Sequence, residues 1–362
     1  SVTVDNVAPA LTVAVPLEGA ALGLDWFANE GGTAGSASDG SKAVVVTVDV
    51  KEKSTGTFQV GLGFSNVEAF IFTAQVAQQN FLGWGQSVSA SAQLSALRNF
   101  FQLSYFDPYF FDTNFILSVD AYKTRLDYFG FTRDAFGGTA SLGYYLIADE
   151  MSVNLGYTRE FVAVEPGQDF INSVSLYGQF RSGDTSALRF SWTYDRRNNR
   201  LFPTKGFLSF ASLETAPNIL GGTYNFNRYT AYQRVYFPLP LGAVFKMNLQ
   251  FGYTQELDPL NPLPSSELYF LGGINTLRGY VLRTVAPTTL VGSSTGPDVS
   301  VRPFTVGGDK QVIFNAELEF PLIEKVGIRG VLFYDAGNAF ARNARLFEYV
   351  PDDSNRSLKL PL

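Results

Sequence analysis

The chain has 362 residues, 17% of them charged and 15% aromatic, including 33 Phe and 18 Tyr. It has no Cys and no His, which excludes disulfides, thiolate or imidazole metal sites and the histidine base of a triad-type hydrolase. A net charge of −6 argues against a nucleic-acid surface, and a 46% hydrophobic composition excludes disorder as the main state.

The first 55 residues differ in kind from the rest. Ala43–Val50 reads as one strand of a small domain, after a flexible Gly/Ser/Ala stretch at 31–42. Beyond them the dominant signal has period two. In 86–96, Val88, Ala90, Ala92, Leu94 and Ala96 alternate with Ser87, Ser89, Ser91, Gln93 and Ser95. In 188–194, Leu188, Phe190, Trp192 and Tyr194 alternate with Arg189, Ser191 and Thr193, and in 245–253 Phe245, Met247, Leu249, Phe251 and Tyr253 alternate with Lys246, Asn248, Gln250 and Gly252.

Strands are predicted at 57–64, 68–79, 85–97, 100–106, 114–125, 138–147, 151–162, 185–196, 206–214, 224–237, 244–256, 311–320 and 326–335. The segment Asn172–Phe180 also alternates and is read as a loop extension. Short turns such as Asp107-Pro108 alternate with longer loops, the habit of an outer-membrane barrel. No window reaches the roughly 18 uninterrupted apolar residues of a membrane helix. Only helices and closed barrels satisfy every backbone polar group in lipid, so a membrane reading must be a barrel reading. The expected fold is therefore an all-β transmembrane antiparallel barrel, greasy outside and wet inside. A soluble β-sandwich also alternates, but without large aromatics on one face and Ser, Gln, Asn, Lys and Arg on the other.

The long segment 257–310 breaks the pattern. It opens on Pro259, Pro262 and Pro264 and contains Leu271-Gly272-Gly273-Ile274-Asn275-Thr276-Leu277-Arg278-Gly279-Tyr280. A loop of this length with so little period is functional or disordered. Downstream stand Asn315-Ala316-Glu317-Leu318-Glu319-Phe320-Pro321 and Phe333-Tyr334-Asp335-Ala336-Gly337-Asn338. Upstream are Glu52-Lys53-Ser54-Thr55-Gly56, Asn80–Gly85, Asp107-Pro108-Tyr109 and Phe202-Pro203-Thr204-Lys205-Gly206. Taken in order, these segments closely resemble the BamA-type family of outer-membrane insertases, from about Val46 to Phe340. Two-partner-secretion transporters and organelle import barrels share parts of the set.

The resemblance implies a sixteen-stranded barrel preceded by periplasmic POTRA domains. Residues 1–55 would be the end of the last POTRA domain and 56–362 the barrel, with 257–310 folded into the lumen. Ser357–Leu362 looks like the start of a further strand, and the family's closing strands would lie beyond the chain. The implied activity is folding and inserting barrel proteins into the outer membrane through a lateral seam, without ATP, cofactor, metal or catalytic residue. The implied partners are unfolded barrel substrates, periplasmic chaperones, accessory lipoproteins and outer-membrane lipid. The alternative is an exporter of one polypeptide passenger; a passive porin would not need the Leu277–Tyr280 motif.

In the family, the arginine matching Arg278 folds back and pairs with acids matching Glu319 and Asp335. Alternation puts Glu319 on the wet face with Ile313, Asn315 and Glu317. The face of Asp335 is blurred, because Val331–Tyr334 is apolar on both sides. A guanidinium fork can hold a carboxylate bidentately and fix a loop in one pose. The strand Thr57-Phe58-Gln59-Val60-Gly61-Leu62-Gly63-Phe64 would be the gate strand, weakened by its two glycines. Gly61-x-Gly63 precedes no helix and is not a nucleotide loop. Arg189, Lys246 and Gln250 read as residues solvating the interior. Asp195 and Glu214 have no fixed spacing that would make them a hydrolytic pair, and Asp352-Asp353 reads as a solvated turn.

Overall fold

The computed structural model describes residues 13–14, 45–46, 55–65, 68–128, 130–147, 150–167, 179–293, 300–323, 326–342, 344 and 346. The chain divides into two compact units, Ser1–Thr55 and Gly56–Leu362. In the first, Val13–Ala14 pairs antiparallel with Val45–Val46. The remainder of the 43–50 strand, the 31–42 loop, residues 352–353 and Ser357–Leu362 lie outside the described residues. So does Asn172–Phe180, apart from a turn at its last two positions.

Among the described residues the second unit is built on a 13-stranded sheet in which every adjacent pair of strands is antiparallel. Its strands are β1 (Gly56–Ser65), β2 (Ala69–Phe81), β3 (Gln86–Leu94), β4 (Arg98–Asp107), β5 (Phe115–Tyr128), β6 (Phe131–Ile147), β7 (Met151–Pro166), β8 (Gly183–Asp195), β9 (Gly206–Ala216), β10 (Phe226–Pro238), β11 (Val244–Glu256), β12 (Lys310–Ile323) and β13 (Ile328–Phe340). These coincide with the thirteen segments predicted from alternation, and β1 and β13 form the two edges of the sheet.

The boundaries shift by up to three residues in most strands and by more in three of them. β6 begins seven residues before the predicted 138, because Gly137-Gly138 interrupts the pattern inside the strand. A Cβ at Gly137 would lie 2.8 Å from the Arg159 carbonyl and 3.0 Å from the Tyr122 hydroxyl, so the strand needs a bare backbone there. β7 runs on to Pro166, and β13 runs on to Phe340 through Ala336, Gly337 and Asn338, which carry no apolar alternation.

Directly opposed residues share a face, so register assigns the two sides. In the β11–β12 pair, Phe245 opposes Leu318, Leu249 opposes Phe314 and Phe251 opposes Val312 on the outer face, while Lys246 opposes Glu317 and Asn248 opposes Asn315 on the inner face. The outer side chains are apolar and bare: Leu249 is 53% exposed. The inner face is laced with polar contacts, among them Asn248 Nδ2 to Asn315 Oδ1 at 2.9 Å and Gln102 Nε2 to Asp120 Oδ1 at 2.9 Å. This is the arrangement of a barrel wall between lipid and water. Leu249→Arg is accordingly expected to cost about 2 kcal/mol or more when the protein is unfolded by urea from lipid vesicles. Asn248→Arg on the wet side should cost much less, and equal losses would mean that the faces are misassigned.

The buried core is also on the inner face, and it gathers at one end. Phe131, Ala135, Val162, Val164, Ala187, Ala216, Tyr224 and Phe226 from β6–β10 and the adjoining turn close over Leu263 of the long loop. A second cluster joins Leu271 and Leu277 of the loop to Ile313 of β12 and Ala339 of β13. The loop's own hairpin, Thr288–Ser293 with Ser300–Thr305, forms a separate two-stranded sheet.

Candidate functional site

The loop between β11 and β12 is tied down along its length. Tyr269 bridges Gly308 and Leu271 bridges Val285, and the Gly273 N–H donates to Tyr280 O at 2.9 Å, so the segment 269–285 doubles back on itself. Gly272 makes the fold-back possible: it has φ +112°, and a Cβ there would lie 2.2 Å from the Val281 carbonyl. The hydroxyl of Thr276 accepts from the Gly272 N–H at 2.9 Å and donates to its carbonyl at 3.0 Å.

The compact turn presents Leu277-Arg278-Gly279-Tyr280 with divided tasks. Leu277 is buried against Ile313 and Ala339. Gly279 takes a left-handed conformation, φ +86°, which is open to glycine without steric cost. Tyr280 is exposed. Arg278 reaches the wall: its Nε donates to Asp335 Oδ2 and its Nη2 to Asp335 Oδ1, both at 2.7 Å, and its backbone N–H adds a bond to Oδ2 at 3.0 Å. Its Nη1 donates to Glu317 Oε1 at 2.5 Å, and the guanidinium carbon stands 3.9 Å from the centre of the Phe333 ring. Asn315 completes the seat by donating to Asp335 Oδ1 at 2.9 Å and to the Thr276 carbonyl at 2.8 Å. The bonds from Asp335, then those from Glu317, raise the guanidinium's affinity for its proton above the ordinary arginine value.

Of the two acids expected to meet Arg278, the structure brings only Asp335. Glu319 instead pairs with Lys246 and, at 2.7 Å, with Arg329 Nε. Glu317 takes the vacated role because it lies one step closer on the same face: Asp335 opposes Asn315 and Phe333 opposes Glu317, while Glu319 opposes Val331. The same register settles the blurred period of β13, turning Phe333 and Asp335 inward and Leu332 and Tyr334 outward.

A second lock was not legible in the sequence. Glu267 of the loop, with a side chain 9% exposed, receives Arg133 of β6 at 3.3 Å and Arg228 of β10 at 3.2 Å. Arg133 also reaches Glu160 of β7 at 2.5 Å, and Glu160 accepts from the Tyr122 hydroxyl of β5 at 2.8 Å. Burial pushes the Glu267 carboxyl up, but the charges of Arg228 and Arg133 outweigh it and hold the group below the usual glutamate range. A third contact is of the cation–π kind. Arg283 lays its guanidinium 3.6 Å from the Phe270 ring centre and 4.2 Å from that of Tyr128, and burial lowers its pKa to about 10.

The predicted gate residues lie together in β1. Thr57, Gln59, Gly61 and Gly63 point inward, and Phe58, Val60, Leu62 and Phe64 point outward, with Leu62 84% exposed. β1 pairs with β2 from Gly56↔Gln78 to Ser65↔Ala69, and no described strand pairs with its other edge. Arg189 and Lys246 pair with Glu214 and Glu319 on the inner face, and Asp195 is held by Arg197, so neither Asp195 nor Glu214 is placed as half of a hydrolytic pair.

Comparison with known proteins places these features in a family context. Residues 80–354 match the model of the Omp85 superfamily domain. The outer membrane protein assembly factor BamA of Neisseria meningitidis serogroup B is 25% identical over 320 residues, 82% of this chain. The chain spans 38% of that protein's length. Among solved structures, BamA from Haemophilus ducreyi lacking POTRA domains 1–3 superposes with a TM-score of 0.68 at 20% identity, covering 85% of this chain and 62% of that one. CdiB from Acinetobacter baumannii gives 0.53 at 13% identity, over 86% of this chain and 55% of its own.

Proposed function

From a chain that belongs to the Omp85 superfamily and is an integral protein of the outer membrane, we propose a non-enzymatic assembly factor. It folds and inserts other β-barrels into the outer membrane through a lateral seam, without ATP. The observation that carries this reading is β1: a strand at the edge of the sheet, apolar on its outer face and containing Gly61 and Gly63. The unpaired N–H and C=O groups of a strand edge template another strand. An incoming barrel's terminal strand adds to β1 by β-augmentation, and the glycines keep the edge pliant enough to release it. Arg278 keeps the loop folded against β12 and β13, inside the wall and clear of the seam. Residues 1–55 serve as the end of a POTRA domain on the periplasmic side, where chaperones and accessory lipoproteins deliver substrate.

The likeness to the N. meningitidis assembly factor supports this reading. The looser fold likeness to CdiB keeps a second one in view, export of a single polypeptide passenger. Depletion of the protein distinguishes them. General loss of unrelated outer-membrane barrels is the expected result, and loss of one secreted passenger with the barrels intact would overturn it. A cysteine at Val60 should crosslink to the last strand of a stalled barrel substrate.

A further inference from the structure

The outward face of β2–β6 carries a furrow. Ala74, Ala90, Ala92 and Ala121 form its floor and Phe101 and Phe136 its walls, a shallow, open depression of about 460 Å³. Register sets Ala92 opposite Phe101, Phe101 opposite Lys123 and Lys123 opposite Phe136, so a lysine stands in a row otherwise made of small and aromatic apolar groups.

Lys123 follows Val119 and Ala121 at a spacing of two and is exposed on the same face. Among the described residues it has no carboxylate partner, whereas Lys246 and Lys310 are each paired with one. Arg125, the next cation on that face, already has carboxylates beside it: it lies 3.7 Å from Asp127 and opposite Asp134.

Depth fixes what Lys123 can meet. Phe115, its ring centre 5.0 Å from that of Tyr144 at a tilt of 59°, marks the other end of the strand. Eight residues at about 3.3 Å each, tilted by about 40°, separate the two by roughly 20 Å along the membrane normal, against an apolar band about 25 Å tall. The Lys123 backbone therefore lies within about 5 Å of the border of the band, close enough for its four-carbon stem to carry the ammonium to the headgroups, and the furrow runs from it into the band.

We propose that the furrow below Lys123 is a binding site for a phosphate-bearing anionic lipid, its acyl chain lying along the four alanines and its headgroup on the Lys123 ammonium. The lipid is held by charge at one end and by apolar fit at the other, so selectivity and affinity come from different residues. Bound there, it covers the outer face beside β1 and β2.

The test is native mass spectrometry of the full chain released from detergent micelles, with phosphatidylglycerol and phosphatidylcholine as probes. The wild type should retain phosphatidylglycerol in preference to phosphatidylcholine by about fivefold, the contribution of one lysine near a headgroup. Lys123→Gln should abolish the preference and Lys123→Arg should keep it, while Arg125→Gln, whose charge is shared with Asp127, should change it little. Ala92→Phe, which fills the furrow from the lipid side and leaves the inner face untouched, should lower retention of both lipids. Equal retention by the wild type, a preference that survives Lys123→Gln, or indifference to Ala92→Phe would each overturn the proposal. Displacement of the lipid by inorganic phosphate beyond the effect of ionic strength would make this a free-anion site and overturn it as well.

Discussion

Replacing Arg278 with alanine is expected to destabilise the barrel by about 3 kcal/mol or more, the usual result of stranding one member of a buried ion pair. The partner left behind is Asp335, whose side chain is 4% exposed and which accepts three bonds from Arg278. After the substitution the backbone N–H of residue 278 and the Asn315 amide can still donate to that carboxylate, but both charged bonds from the guanidinium are gone. The loss should appear as a lowered urea midpoint in detergent and as faster proteolysis within 269–285. Glu317→Gln removes a single charged contact to a more exposed partner and should cost about 1 kcal/mol. Glu319→Gln should leave the loop protected, because its partners are Lys246 and Arg329. Unchanged proteolysis in the Arg278 variant would remove the tether from the account.

Glu267→Gln should be comparably severe, again by about 3 kcal/mol, because it leaves Arg133 and Arg228 converging on a group that no longer carries charge. The lock also makes a prediction about acid. A carboxyl whose folded pKa is depressed contributes stability that is fully present above its unfolded pKa and is lost as pH falls through the folded value. Glu267 is depressed in this way. The wild type should therefore lose urea resistance on acidification through and below the usual glutamate range, and the difference between wild type and Glu267→Gln should shrink over the same interval. Two curves that stay parallel into acid would show that Glu267 is not the group responsible.

The strands were legible because their cause is local: a wall with lipid on one side and water on the other imposes period two, and Leu249, Phe251 and Tyr253 report it without reference to distant residues. The weaknesses of the reading were equally physical. Gly137-Gly138 hid the first half of β6, since the absence of side chains erases the period where backbones approach closely. Glu317 and Glu319 are two residues apart and share a face, so alternation cannot say which of them lies under Arg278; only the register of β12 on β13 decides it. Val331–Tyr334 is apolar on both faces, so type alone could not place Phe333; register turns it inward, where a guanidinium covers its ring. The Glu267 lock left no trace at all. Its arginines lie 134 and 39 positions away in sequence, on strands whose own patterns are complete without it.

The loop grips the wall unevenly. Its ionic and aromatic contacts fall on β5, β6, β10, β12 and β13, and the hydrophobic cluster beneath its first half is drawn from β6 onward. Among the described residues β1 to β4 receive no such brace, and Asp107 is their only buried residue. The wall is thus stiff along one stretch of the sheet and compliant along the other, like a fence braced on one side only. Strain imposed on it collects in the unbraced staves, which are those that lead to the sheet edge at β1.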